Sequence, residues 1–184
     1  MAEAGQIRTD ELDAEHEARR RVALAQIRQY PDPVLRMRAH EIDRFDDELA
    51  RLAARMTRLM GEAAGVGLAA NQVGVLQRLF VVQPTAEDEP RALVNPGIVE
   101  RSNETELSDE GCLSMVGVLV PVERNVRVAL EARDPAGEEV RLELEGMAAR
   151  VVQHELDHLD GVLIIDRTTP EGRREALAVL RQAV

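Results

Sequence analysis

Gln153-His154-Glu155-Leu156-Asp157-His158 contains the pattern H-E-x-x-H. Residues four apart on a helix stand one above the other, so His154 and His158 can aim two imidazole nitrogens at one divalent ion. Glu155, one step round the helix, can reach the water that such an ion polarises and act as its general base. The spacing predicts a metal helix over Met147–Leu159 and metal-dependent hydrolysis. The pattern also arises by chance on charged helix faces, so the rest of the chain must supply the missing parts of a site.

Two histidines leave a catalytic ion one protein ligand short. Downstream, the longer pattern H-E-x-x-H-x-x-G-x-x-H has its glycine, Gly161, but ends on Ile164. Carboxylates at Asp160, Asp166 and Glu171 keep a metallopeptidase reading open. Upstream, Glu110-Gly111-Cys112-Leu113-Ser114 offers a better candidate. Gly111 lets backbone approach closely, and Cys112 can supply a thiolate, which gives a Cys-His-His set with an open fourth position. Taken singly, a lone cysteine is more often a small buried hydrophobe.

A third segment, Gly65-Val66-Gly67-Leu68-Ala69-Ala70-Asn71-Gln72, is small and apolar. Its glycines permit a tight backbone path. Gln72 offers a neutral donor, which suits a developing oxyanion because it does not titrate. The segment lacks the Gly-Lys-Ser/Thr ending of a phosphate loop.

The 184 residues are enough for one domain with its own core, and 45% are hydrophobic. Aromatics make up only 2%, so the core has to come from Leu, Val, Ile, Ala and Met. The charge of -11 (23 Lys+Arg against 34 Asp+Glu) argues against sequence-specific nucleic-acid binding, which needs a concentrated basic face. One cysteine excludes an intrachain disulfide. No apolar run approaches the ~20 residues of a membrane span. The N-terminus, with Glu3, Asp10, Glu11, Asp13, Glu15 and Glu17, is neither a signal nor a transit peptide. A cytoplasmic protein without membrane contact is expected.

Residues 1–21 form a polar extension, read as a surface helix capped by Thr9 or as a frayed tail. Val22–Gln29 reads as a short strand closed by Tyr30-Pro31-Asp32-Pro33. Asp46–Met60 reads as an amphipathic helix stopped by Gly61, with Met56 and Met60 in the core. Strand-like runs follow at Arg78–Gln83, Ala92–Val94 and Gly117–Pro121. Arg127–Arg133 and Val140–Glu145 form a hairpin through Asp134-Pro135-Ala136-Gly137. Pro170–Ala183 reads as a C-terminal helix. Few helices among short strands, without regular βαβ alternation, indicate an α+β fold. A catalytic domain at 22–168 would lie between the extension and a terminal helix at 169–184. His16 and His40 lie outside the motifs and are expected in solvent.

The three segments, in this order, resemble the three motifs of the peptide deformylases, and the resemblance runs from about Val22 to Arg167. Tyr30-Pro31-Asp32-Pro33-Val34-Leu35 and Leu93-Val94-Asn95-Pro96 look like further landmarks of that family. The resemblance implies antiparallel strands surrounding a central metal helix. It implies that Cys112, His154 and His158 hold the ion, commonly Fe2+, with Zn2+, Ni2+ or Co2+ able to substitute. Glu155 would be the acid/base, and Gln72 with the backbone N–H of Leu113 the oxyanion hole. The implied substrate is the N-formyl-methionyl end of nascent polypeptides, and the products are formate and a free amine.

Met147 and Val151 share the face of His154 and His158 and are candidates to line the methionine pocket, or plain core. The substrate backbone is expected to add as a strand at Val66-Gly67. After Glu110–Ser114 many family members continue with a residue and then Pro-Gly, whereas this chain has Met115-Val116-Gly117, which bears on substrate preference rather than chemistry. The resemblance also implies transient ribosome association. Pro170–Val184, with Arg173, Arg174 and Arg181 against Glu171 and Glu175, is too weakly basic to be expected as its docking site.

Overall fold

The computed structural model describes residues 3–182, with side chains from residue 13 onward. The chain enters through helix α1 (Glu3–Leu24) and turns into helix α2 (Asp47–Glu62). Strands β1 (Gly67–Ala69), β2 (Leu79–Val82), β3 (Arg91–Arg101), β4 (Thr105–Cys112), β5 (Met115–Asn125), β6 (Arg127–Arg133) and β7 (Glu139–Glu145) follow. Helix α3 (Gly146–Leu159), the short α4 (Ile164–Arg167) and α5 (Pro170–Gln182) complete the described chain. The strands form a five-stranded sheet, β1-β2-β3-β6-β7, and a separate β4–β5 hairpin, antiparallel throughout. This is the expected α+β fold.

Helix α2 begins where Asp46 accepts from the N–H groups of Glu48 and Leu49, and Asp47 and Glu48 suit the positive end of its dipole. Leu49, Ala53, Met56, Leu59 and Met60 are its buried stripe. Each of the buried Leu and Met side chains contributes on the order of 2 kcal/mol. The helix runs through Gly61 rather than stopping there. Ala64 takes the left-handed conformation (φ 56), and Gly65 N–H closes the end on the Met60 carbonyl at 2.9 Å.

A strand at Val22–Gln29 is not formed. Alternation would bury Val22, Leu24 and Gln26 or Ala23, Ala25 and Ile27, but Val22 and Ala25 are exposed, and the N–H groups of Ala25, Gln26 and Ile27 bond carbonyls three or four residues back. Helix α1 therefore extends through Leu24, and it starts at Glu3, ahead of the cap expected at Thr9. Ala183, where the last helix was placed to end, lies outside the described residues.

The core is aliphatic, as the composition requires, with Phe80 the exception. One cluster joins the end of α1 to α2, β1 and β2; a second packs the sheet on α3; a third joins β5 to α4 and α5. The third cluster includes Ala176, so α5 is fastened to β5. The Asp134–Gly137 turn forms as expected, Asp134 Oδ1 accepting from Ala136 and Glu138. Asn95 adopts φ 49 at a bulge in β3, and its side-chain amide bonds both backbone groups of Ile42 at 2.8 Å. Helix α3 is thus held between the sheet and the hairpin. Among the described residues no helix is long and apolar enough to cross a membrane.

Candidate metal and active site

The ligand atoms of Cys112, His154 and His158 lie within 4.8 Å of one another. The two Nε2 atoms are 3.2 Å apart, and Cys112 Sγ is 3.3 Å from His158 Nε2. A tetrahedral ion bonded at about 2.1 Å to nitrogen and 2.3 Å to sulfur separates its donors by roughly 3.4–3.6 Å. The donor set and its spacing therefore fit a divalent first-row ion. Burial disfavours a protonated imidazole at both histidines. At His154 the neighbouring Cys112 and Glu110 outweigh it and raise the pKa well above its ordinary value. His158, where burial dominates and His154 adds repulsion, is pushed well below. An ion entering here would displace the proton at His154 as the positive charge beside Cys112.

Glu110 and Cys112 stand two residues apart at the end of β4, across an irregularity in its pairing with β5, and both reach the histidine pair. Glu110 Oε2 bonds His154 Nδ1 at 3.0 Å. The same carboxylate accepts from Arg124 Nε and Nη2 and from Arg150 Nη1, each at 2.9 Å. Burial alone would raise Glu110, but its bonds to Arg124 and His154 hold it at about 2. Arg124 continues to Asp157 at 2.6 Å, and Asp157 accepts from Arg167 at 2.6 Å. The motif reading passed over Glu110, Arg124, Arg150 and Asp157. Glu110 and Asp157 stand within quoted motifs, whereas Arg124 and Arg150 carry no local signal. His158 Nδ1, by contrast, is buried with no hydrogen-bond partner among the described residues.

Gln72 sits in the tight turn Ala70–Val73 that follows β1. Its Oε1 accepts from Ala69 N–H at 2.8 Å, which fixes the amide. Its Nε2 faces Ser114 Oγ at 3.0 Å and Cys112 Sγ at 3.7 Å. Leu113 lies in the β4–β5 turn, which Gln29 Nε2 clips by its carbonyl at 2.9 Å. No hydrogen bond among the described residues uses the Leu113 N–H. Glu155 is buried, and its Oε2 has no partner among the described residues. Burial raises its pKa to about 7. A Cβ at Gly67 would lie 2.2 Å from Glu155 Oε1, so only glycine leaves that carboxylate in place.

These groups open into a cleft of about 470 Å³. Val66, Gly67, Gly111, Met147 and Val151, the expected substrate contacts, all line it. Val151 is buried at its wall and Met147 exposed at its mouth. Strand β1 is an edge strand, with its outer side available for strand addition. Val116 also lines the cleft, within β5. The downstream carboxylates are committed elsewhere: Asp160 pairs with Arg78 and Asp166 with Arg36. Glu171 lies on α5 beside Arg174. His16 and His40 are exposed, as expected.

The sequence model of the polypeptide deformylase family matches residues 24–174. A peptide deformylase of Thermotoga sp. is 50% identical over 147 residues, covering 80% of this chain and 88% of that one. A Natranaerobius thermophilus relative is 46% identical over 154 residues, 84% of this chain and 98% of its own. The Thermotoga maritima peptide deformylase crystal structure superposes with a TM-score of 0.76 at 49% identity, covering 78% and 97% of the two chains. A Plasmodium falciparum peptide deformylase bound to an inhibitor gives 0.78 at 38% identity, covering 85% of this chain and 97% of the other.

Proposed function

The chain belongs to the peptide deformylase family, metal-dependent hydrolases that remove the N-formyl group from nascent polypeptides, and from that premise we propose which of its residues do the work. Cys112, His154 and His158 hold the ion, and Fe2+ is the proposed occupant, replaceable by Zn2+, Ni2+ or Co2+. When bound, the ion acts as a Lewis acid and makes water nucleophilic near neutral pH.

Glu155 takes the proton of the attacking water at its unpartnered Oε2. A carboxyl held at about 7 can then return that proton to the departing amine, since neither proton state is costly at neutral pH. Gln72 Nε2 and the Leu113 N–H stabilise the oxyanion, the first fixed by Ala69 and the second left unpaired in its turn. Glu110 orients His154 and keeps Nε2 as its donor face. Met147 and Val151 receive the methionine side chain, and the substrate backbone adds to the edge at Val66-Gly67. Work on nascent chains implies the cytoplasm and transient contact with ribosomes.

The observation that carries this reading is the unpartnered, buried Glu155 carboxylate beside the converging Cys-His-His set. Its test is formate release from a formyl-methionyl peptide by anaerobically prepared Fe2+ protein, beside the N-acetyl analogue. Rapid release from the formyl peptide alone is expected; no formate despite stoichiometric metal would refute it. A thiolate beside Fe2+ makes the site oxygen-sensitive. The iron form is expected to lose activity in air and the Ni2+ form to keep it; equal air stability would count against iron.

A further inference from the structure

Arg20 lies on α1, four residues ahead of the family match that begins at residue 24. It nonetheless lines the active-site cleft, together with Ala64, Gly65 and Val66. Its Nε donates to the Ala63 carbonyl at 3.2 Å, and Ala23, fully buried one turn later, fastens this end of α1 to the core. Arg19 beside it pairs with Glu15, whereas Arg20 forms no ion pair among the described residues. A cation is therefore anchored by one nitrogen at the rim, and its two Nη groups have no partner among the described residues.

Gly67 abuts Glu155, so the reaction centre lies at the Gly67 end of this wall. Ala64 is three residues away, at most about 10 Å at 3.3 Å per extended residue. A substrate strand leaving the centre along that edge brings its second or third residue beside Arg20. We propose that Arg20 is a substrate-specificity residue, whose guanidinium receives a carboxylate on the second or third residue of the formylated chain. Guanidinium suits this role because its planar fork matches a carboxylate. The proposal rests on substrate adding to the β1 edge. Asp109, on β4, also lines the cleft, without an ion pair among the described residues, and repels a carboxylate, so the Arg20 variants isolate one share of the selectivity.

The test uses the full-length, metal-loaded enzyme and C-terminally amidated peptides formyl-Met-Ala-Xaa and formyl-Met-Xaa-Ala, with Xaa Glu, Gln or Lys. An exposed pair of this kind is worth about two- to fivefold. The wild type is expected to favour Glu over Lys by about that factor in kcat/KM, through KM. Arg20→Ala and Arg20→Gln should shift the Glu-to-Lys ratio towards Lys by at least that factor, Arg20→Lys should shift it less, and 0.5 M salt should flatten it. An unchanged Glu-to-Lys ratio in Arg20→Ala would overturn the proposal. So would an equal loss on all three peptides, which would make Arg20 only a fastening for α1. Failure of the wild type on the Gln peptides would instead sink the deformylase assignment.

Discussion

The floor and the rim of the cleft are built on opposite lines. At the floor, Glu110 holds His154, Arg124 and Arg150 hold Glu110, and Asp157 ties Arg124 to Arg167, almost all of it away from water. At the rim, Val66, Val116, Leu119 and Met147 are 44–71% exposed apolar side chains. Reaction geometry has to hold to a fraction of an ångström, and paired charges in a low-dielectric interior resist displacement. Recognition of many different chains needs only shallow apolar contact at the open end.

The comparison breaks most readily at Glu155. Glu155→Ala is expected to lower kcat by about 10³–10⁴ with metal content unchanged; steady-state kinetics with metal analysis would expose a bystander, whose loss leaves the rate intact. Next, Gln72→Ala should cost about 10²–10³ in kcat with KM little changed. A loss confined to KM would move Gln72 from the floor's chemistry to the rim's binding.

Glu110→Gln sharpens the point about support. Metal affinity should fall about 10–100-fold, read by competition with a chelator. The same variant tests acid stability. Glu110 titrates at about 2 in the folded chain against 4.5 when free. Its folded pKa is depressed, so its contribution is complete above 4.5 and is lost as pH falls towards 2. That contribution is on the order of 3 kcal/mol. Denaturant melts at successive pH values should show this slope in the wild type and its absence in Glu110→Gln. The smallest effect belongs to the rim. Leu119→Ala should raise KM about two- to fivefold at constant kcat, and a drop in kcat as large as that of Gln72→Ala would erase the distinction.

Much of this was legible in the chain. The metal helix, α2 and the β6–β7 hairpin follow from local periodicity and turn chemistry, which need no distant partner. Strand β4 was not legible, because Thr105–Cys112 is polar and buries only Glu110 fully, leaving no alternation to detect. The absence of the strand expected at Val22–Gln29 has a related reason. Val22–Gln29 carries apolar residues that suit either period, and with Ala23 and Ile27 packed on α2 the helix ends at Leu24 and the chain turns.

By itself the sequence determined the helical spacing that sets His154 and His158 on one face with Glu155 beside them, and an aliphatic core, since these depend on residue type and helix geometry alone. Only the tertiary structure decided how the floor is braced and who shares the rim. Arg124 meets Glu110 across 14 residues and Asp157 across 33, and Arg20 reaches Ala63 across 43. No local pattern encodes such pairings, because they exist only once the hairpin has packed on α3 and α1 on α2.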